Sequence, residues 1–211
     1  MLTIGDARSG SIDSNIMPRH KQPIDQSPSR TLTHFGEELV RTAQGPILDV
    51  ACGYGRNAIY VASFGVEVVC IDHDSDALDH IECLAKAHPL IPMRLDLLSD
   101  PWPFKRNSIG AIVNVHHYHP TLLDRFIESI GQGGCLYLET IGGQGCNYLE
   151  LPPRGFILDQ LRDQFDIAHY KENPVRSDVH DAASVKLFAT KRPRDTMEAT
   201  SGCSRSNSPR E

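Results

Sequence analysis

The feature that most constrains this chain is a short apolar run that leads directly into two glycines. Residues 47–50 read Ile-Leu-Asp-Val, and Ala-Cys-Gly-Tyr-Gly and a helical pattern follow them. Glycine lets the backbone adopt turn conformations and approach a ligand closely, because it has no side chain. The first turn of the helix adds unpaired N–H groups and a partial positive charge. The segment therefore predicts a strand–turn–helix unit that binds a nucleotide-like ligand.

Strand-like and helix-like segments alternate through most of the chain. The predicted helices span 33–43, 54–64, 75–87, 120–130 and 155–164, with Thr33 and Ser75 as N-terminal caps. The predicted strands span 46–50, 66–72, 92–97, 109–115 and 134–140, followed by a final pair at 165–172 and 185–191. This alternation indicates an α/β fold whose mostly parallel sheet is covered by helices on both faces. Ligands of such sheets bind at the carboxyl ends of the strands.

The two ends of the chain differ in composition from its middle. Residues 1–30 are rich in Ser, Pro, Asp and Gln, and residues 193–211 have few apolar side chains to bury. Such segments do not compensate the entropy cost of ordering, so we predict a mobile N-terminal arm and a disordered C-terminal tail. One domain, residues 31–192, lies between them.

Charge is distributed unevenly along the chain. The net charge is −6, but residues 1–30 carry four cationic and three anionic side chains, and residues 191–211 carry five and three, which leaves −9 for the middle. A body this acidic repels phosphate backbones, which disfavours a nucleic-acid partner. A neutral or cationic small molecule is compatible with it.

The cysteines and the apolar segments bear on location. None of the six cysteines forms a Cys-x-x-Cys pair, and several lie in apolar runs. That usage is typical of a reducing compartment. The first 20 residues lack the apolar stretch of a secretory signal, and no run reaches the roughly 20 apolar residues of a membrane helix. We therefore expect a cytoplasmic protein with no membrane association.

One acidic residue accompanies each of the first three predicted strands. Asp49 lies four residues before the first glycine of the turn, where a carboxylate suits an ammonium or sulfonium group better than a pyrophosphate. Asp72 closes the second strand, where an acid accepts hydrogen bonds from ribose hydroxyls. Asp96 ends the third strand, where it can accept from an adenine amino group while Leu97 covers the ring.

These motifs resemble a known family. The run from Ile47 to Leu78, ILDVACGYGRNAIYVASFGVEVVCIDHDSDAL, is similar to motifs I and II of class I S-adenosylmethionine-dependent methyltransferases, and the stretch CGYGRNAIYVASFG is similar to their tellurite-resistance and thiopurine branch. The resemblance covers about residues 31–192. It implies a Rossmann-like, mostly parallel seven-stranded sheet with an antiparallel last strand. It also implies S-adenosylmethionine as co-substrate, with the following roles: Asp49, Gly53 and Gly55 for the methionine moiety, Asp72 for the ribose, Asp96 and Leu97 for the adenine, and Asn114 for the methyl-donor pocket.

The residues after the fourth strand concern the acceptor. An Asn/Asp-Pro-Pro-Tyr/Phe signature is absent, and the sequence reads Asn-Val-His-His-Tyr-His-Pro over residues 114–120. His116 and His119 are candidate general bases, since the unperturbed pKa of histidine lies near neutrality. They are equally compatible with rings that only shape the cavity wall, and no further residues complete a metal site with them. The glycine-rich loop after the fifth strand fits two interpretations equally: a flexible surface loop, or a gate over the substrate with Asn147 and Tyr148 as candidate contacts.

Three functions fit this sequence. The first is transfer of a methyl group to O, N or S of a small acceptor. The second is a nicotinamide-dependent oxidoreductase, because Gly53-x-Gly55-x-x-Ala58 also satisfies the dinucleotide fingerprint; Asp49 and the final pair of strands count against it. The third is a non-catalytic accessory protein with the same fold. The sequence does not indicate the oligomeric state.

Overall fold

A computed structural model describes residues 27–140, 151–174 and 183–193. The helices are α1 (Arg30–Thr42), α2 (Arg56–Ala62), α3 (Ser75–Leu84), α4 (Pro120–Ser129) and α5 (Phe156–Leu161). The strands are β1 (Ile47–Val50), β2 (Val68–Asp72), β3 (Leu90–Arg94), β4 (Ile109–Val115), β5 (Ile130–Glu139), β6 (Phe165–Pro174) and β7 (Ala183–Lys191).

The strands form one sheet in the order β3-β2-β1-β4-β5-β7-β6. β1 to β5 pair in parallel, whereas β7 is antiparallel to both of its neighbours. From β1, the strands β2 and β3 follow on one side of the sheet, and β4 and β5 follow on the other side. The strand order therefore reverses between the neighbouring strands β1 and β4. In open α/β sheets a ligand crevice forms at such a switch point, outside the carboxyl ends of the strands. The predicted fold class is confirmed.

Two apolar clusters cover the two faces of the sheet. The central strands are buried on both faces, so alternate residues of one strand enter different clusters: Ile112 packs with α4 and α5, whereas Ala111 and Val113 pack with α1, α2 and α3. No helix of the described ranges is both long enough and apolar enough to cross a membrane.

Both predicted helix caps are wrong. Helix α1 begins at Arg30, and the Thr33 hydroxyl, now inside its first turn, donates to the Arg30 carbonyl oxygen (2.8 Å). The residue before α3 that caps it is Asp74, whose carboxylate accepts from the Asp76 N–H (2.9 Å). Ser75 is the first residue of that helix. Asp and Ser are both good caps, so the local pattern alone could not separate two adjacent candidates.

The prediction that Asp96 and Leu97 end the third strand is also wrong. β3 ends at Arg94, and Asp96 lies in the following turn, where its carboxylate accepts from Leu98 N (2.9 Å) and Ser99 N (3.2 Å). Such side-chain bonds to nearby N–H groups favour a turn over a strand. The Leu95 N–H still donates to the Asp72 carbonyl oxygen (3.0 Å), which keeps this segment beside the end of β2.

Candidate functional site

The turn between β1 and α2 has an unusual backbone. Ala51, Gly53 and Gly55 all have positive φ, at 57°, 51° and 81°. A Cβ atom on Gly55 would lie 2.3 Å from Ile81 Cδ1, so this glycine lets α3 pack under the turn. A Cβ atom on Gly53 would meet nothing within 4 Å. Gly53 therefore faces open space, while Gly55 serves the packing of the protein itself.

Two cavities meet at the carboxyl ends of the parallel strands. Their volumes are about 470 and 380 Å³, within the range of small-molecule sites. Both are lined by Ala51, Val115 and His116. The larger one, here the acid cavity, is also lined by Asp72, His73, Asp96, Leu97, Leu98 and His117. The smaller one, here the glycine cavity, is also lined by Cys52, Gly53, Tyr54, Arg56 and Asn57.

Asp72 both lines the acid cavity and holds the glycine turn. Its Oδ2 accepts from the Gly53 N–H (2.8 Å), and its Oδ1 accepts from the N–H groups of His73 (2.8 Å) and Asp74 (3.0 Å). A carboxylate can accept about four hydrogen bonds. Asp72 therefore keeps acceptor capacity toward the cavity while it fixes the backbone around it.

Asp96 and Leu97 lie at the outer end of the acid cavity. The hydrogen bonds from Leu98 N and from Ser99 lower the pKa of Asp96, so its carboxylate is ionised at neutral pH. Leu97 is buried in the core, whereas the neighbouring Leu98 is 57% exposed and forms part of the rim. An exposed leucine beside a carboxylate gives this end an apolar surface next to a hydrogen-bond acceptor.

Asp49 lies beneath the glycine turn and lines neither cavity. It is 2% exposed, and its Oδ2 has no hydrogen-bond partner among the described residues. Burial raises the pKa of Asp49 to about 7, although the Ala58 N–H and the charge of Arg56 oppose this. An orphaned carboxylate oxygen behind the turn is a strong acceptor for a cationic group that reaches it.

His116 occupies the junction of the two cavities. β4 ends at Val115 as predicted, and His116 follows it with a positive φ of 67°. The backbone N–H of His116 donates to the Glu139 carbonyl oxygen (2.6 Å), which fixes this turn to the end of β5. A non-glycine residue in this conformation costs free energy, and such residues concentrate at functional sites.

His119 lies elsewhere. It precedes α4 as the N-cap residue, its Nδ1 lies 2.8 Å from the Thr121 hydroxyl oxygen, and it lines neither cavity. Among the described ranges, no group of three or more His, Cys, Asp or Glu side chains is arranged to hold a metal ion.

The structure brings together some of the predicted ligand-binding residues and separates others. Gly53, Asp72, Asp96 and Leu97 line the cavities. Asp49, Gly55 and Asn114 lie behind the cavity walls; the buried Asn114 donates from Nδ2 to the Val50 carbonyl oxygen (3.0 Å). Asn147 and Tyr148 lie outside the described residues. Which of these residues contact a ligand stays a prediction.

The lining residues that sequence reasoning missed include Arg56, His73 and Leu98. All three follow directly on residues that had been singled out, since Arg56 comes after Gly55, His73 after Asp72 and Leu98 after Leu97. Position next to a predicted site residue is therefore the signal that could have found these residues. For Leu98, an apolar side chain beyond the third strand could equally have been core.

A larger cavity, of about 690 Å³, lies at the opposite edge of the sheet, where Arg106, Asn107 and Lys191 line it. Lys191 donates there to the carbonyl oxygens of Ile127 (2.6 Å) and Ile130 (2.7 Å) and so caps the C-terminal end of α4. We place the functional site at the carboxyl edge because the glycine turn, the carboxylates and His116 converge there.

A protein-family model matches the central part of the chain. Residues 47–133, which contain the glycine turn, β1 to β4 and α2 to α4, match the family described as a methyltransferase domain. No curated protein matches the chain in sequence.

Solved structures share the fold at low sequence identity. TehB from Haemophilus influenzae is 14% identical, with a TM-score of 0.55 over 75% of this chain and 62% of TehB. Geranyl diphosphate methyltransferase, solved with S-adenosylmethionine, is 13% identical, with a TM-score of 0.56 over 76% of this chain and 85% of that enzyme. The [4+2]-cyclase SpnF is 17% identical, with a TM-score of 0.58 over 77% of this chain and 80% of the cyclase.

Proposed function

We propose that the protein is an S-adenosylmethionine-dependent methyltransferase that acts on O, N or S of a small acceptor. The observation that carries the proposal is the pair of cavities that meet at His116, at the carboxyl ends of the strands in the segment that matches the methyltransferase-domain family. Their walls fit the co-substrate: the carboxylates of Asp72 and Asp96 face one cavity, and the open space above Gly53 faces the other.

The residues divide the binding between the two cavities. Asp72 accepts from ribose hydroxyls, and Asp96 and Leu97 hold the adenine, in the acid cavity. Gly53 and the first turn of α2 face the methionine moiety in the glycine cavity, with the Arg56 guanidinium as the partner for its carboxylate. Asp49 lies behind this moiety as the acceptor for its ammonium group, and Asn114 holds the end of β1 in place.

S-adenosylmethionine supplies an electrophilic methyl group on a sulfonium. The chain contributes alignment and exclusion of water, which suffice for a good nucleophile, and His116 at the junction is the group available to take a proton. We place the chain in the tellurite-resistance and thiopurine branch on the sequence of its glycine turn.

Calorimetry with S-adenosylhomocysteine tests ligand identity. We expect a Kd in the micromolar range, about −7 to −8 kcal/mol. Asp72→Ala should weaken binding by about 1–3 kcal/mol, because hydrogen bonds to the ribose are lost. Asp79→Ala, which removes an exposed carboxylate from α3 outside both cavities, is the matched control and should bind like the wild type.

The same titration separates the competing functions. Tight NADH binding without S-adenosylhomocysteine binding would identify an oxidoreductase. If S-adenosylhomocysteine binds, mass spectrometry of co-purifying molecules and an acceptor screen with labelled methyl donor should reveal a methylated product. SpnF is a cyclase with this fold, so donor binding with no methyl transfer to any acceptor would point to different chemistry or to an accessory role.

A further inference from the structure

Glu139, the last residue of β5, carries a buried and fully engaged carboxylate. Its side chain is 8% exposed and accepts from the Ser29 hydroxyl, from the Tyr137 hydroxyl (2.8 Å) and from Lys186 Nζ. These donors come from the residue before α1, from β5 itself and from β7. The carboxylate is therefore held in place from three sides, independently of any ligand.

Glu139 is also ionised. Burial alone would raise the pKa of Glu139, but hydrogen bonds from Lys186, Ser29 and Tyr137 outweigh it and bring the pKa below its ordinary value. The charge of Lys186 compensates that of Glu139. A fixed negative charge is thus present at the carboxyl edge at neutral pH.

The imidazole of His116 lies between Glu139 and Arg56. Its Nε2 is 3.9 Å from Glu139 Oε1, and its Nδ1 is 3.4 Å from a terminal nitrogen of Arg56. A guanidinium only donates hydrogen bonds, so Nδ1 is the acceptor and the neutral ring carries its proton on Nε2, facing the carboxylate. Arg56 lines the glycine cavity, so Nδ1 faces a residue of that cavity's wall.

Three charged groups face this ring: Arg56 from α2, Glu139 from β5 and Lys186 from β7. Burial lowers the pKa of His116, Arg56 and Lys186 lower it further, and Glu139 opposes them. Glu139 is therefore the one group of the three that stabilises a protonated His116.

We propose that Glu139 is a positioning residue whose carboxylate charge, 3.9 Å from Nε2, favours the His116 tautomer with its proton on Nε2, so that Nδ1 accepts the proton of the methyl acceptor. This inference rests on the proposed function. The 3.4 Å contact from Arg56 is longer than an ordinary hydrogen bond, and an acceptor hydroxyl, amine or thiol can replace it. As the acceptor atom bonds to the methyl carbon, the carbon–sulfur bond breaks with its electron pair on sulfur. The proton of the acceptor passes to Nδ1, the imidazolium pairs with Glu139, and the proton later returns to solvent.

The first test is an NMR titration of the ligand-free full chain labelled with ¹⁵N histidine. We expect neutral His116 to carry its proton on Nε2. In Glu139→Gln, which keeps the volume but removes the charge, the pKa of His116 should fall by about one pH unit. Tyr137→Phe is the matched control: it removes one hydrogen bond to the same carboxylate but keeps the charge, so the His116 titration should stay near that of the wild type.

The second test is single-turnover methyl transfer. Glu139→Gln should lower the rate about tenfold and shift the inflection of the pH–rate profile downward with the His116 pKa, while the Kd for S-adenosylhomocysteine stays unchanged. His116→Ala should abolish the inflection, and adding Glu139→Gln to it should slow the reaction no further.

The possible failures are distinct. A proton on Nδ1, or a His116 titration that Glu139→Gln does not move, would overturn the positioning role without any turnover measurement. The expected titration together with a wild-type rate in His116→Ala would overturn the proton transfer. Failure to bind S-adenosylhomocysteine would overturn the proposed function itself.

Discussion

At the scale of single residues, Asp49 is a carboxyl group that the fold buries, although carboxylates are ordinarily exposed to solvent. The side chain is 2% exposed, one oxygen has no partner among the described residues, and burial raises its pKa to about 7. In the unfolded chain its pKa is about 4. The folded protein therefore holds a proton on Asp49 between about pH 4 and 7 that the unfolded chain has released.

This difference predicts how stability changes with pH. Because the folded state binds the extra proton, the Asp49 contribution to the free energy of unfolding falls as pH rises from about 4 to about 7, by at most about 1.4 kcal/mol per pH unit. Asp49→Asn removes this loss, so its stability relative to the wild type should increase from pH 5 to pH 8. Urea denaturation at both values measures it.

Asp163→Asn, which removes a surface carboxylate, controls for the change in net charge. Parallel pH profiles for the wild type and Asp49→Asn would show that Asp49 does not hold this proton.

At the scale of elements, the order of strands and helices could be predicted from the sequence because it depends on local patterns. Apolar runs and turn residues identified each of the seven strands, including β1 and β4 nearly to the residue. The start of β5 was predicted four residues late, because residues 131–134 read Gly-Gln-Gly-Gly, which is a turn signal, but form an irregularity within the strand. Glycine supports both structures, and only pairing with β4 decides between them.

The contacts that build the site could not be predicted in this way. His116 meets Arg56 and Glu139, which are 60 and 23 residues away in the chain, and Lys186 reaches Glu139 only because β7 runs antiparallel to β5 in that register. The local periodicity of helices and strands does not indicate contacts between residues so far apart in the chain. Sequence reasoning found His116 from its position after β4, but it gave no signal for Glu139, which reads as the end of an apolar strand.

The glycine turn allows a test at this scale. Gly55 and Gly65 have the same φ of 81°, but a Cβ atom would overlap Ile81 at Gly55 and meet nothing within 4 Å at Gly65. Gly65→Ala should cost only the strain of a left-handed residue, about 1–2 kcal/mol. Gly55→Ala adds overlap with a packed helix and should cost about 1–3 kcal/mol more.

Thermal or urea unfolding of the two variants measures the difference. Equal losses of stability would mean that α3 shifts freely beneath the turn. Ile81 is packed in the apolar cluster of its face of the sheet, so we expect the overlap in Gly55→Ala to displace the glycine turn. Gly55→Ala should therefore also weaken S-adenosylhomocysteine binding, while Gly65→Ala leaves it unchanged.

At the scale of the whole molecule, charge predicts the class of partner. Residues 31–190 carry a net charge of −9, and the excess of cationic side chains lies in the two ends of the chain. At the site itself, Arg56 and Lys186 are accompanied by the carboxylates of Asp49, Asp72 and Glu139. Lys186 is already paired, so among the described residues the site offers no run of uncompensated cations along which a phosphate backbone could lie.

We therefore expect the full chain to show no measurable affinity for generic duplex DNA or RNA at physiological salt. Binding to phosphates releases counterions, so its affinity falls steeply with salt. A fluorescence anisotropy titration at low and at physiological salt therefore distinguishes nonspecific binding by the two ends from binding at a dedicated surface. Any binding at low salt should come from the two ends of the chain and weaken in Arg205→Ser/Arg210→Ser. Sub-micromolar binding that persists in this variant at physiological salt would require a cationic surface on the body, and would shift the proposed acceptor from a small molecule to a nucleic acid.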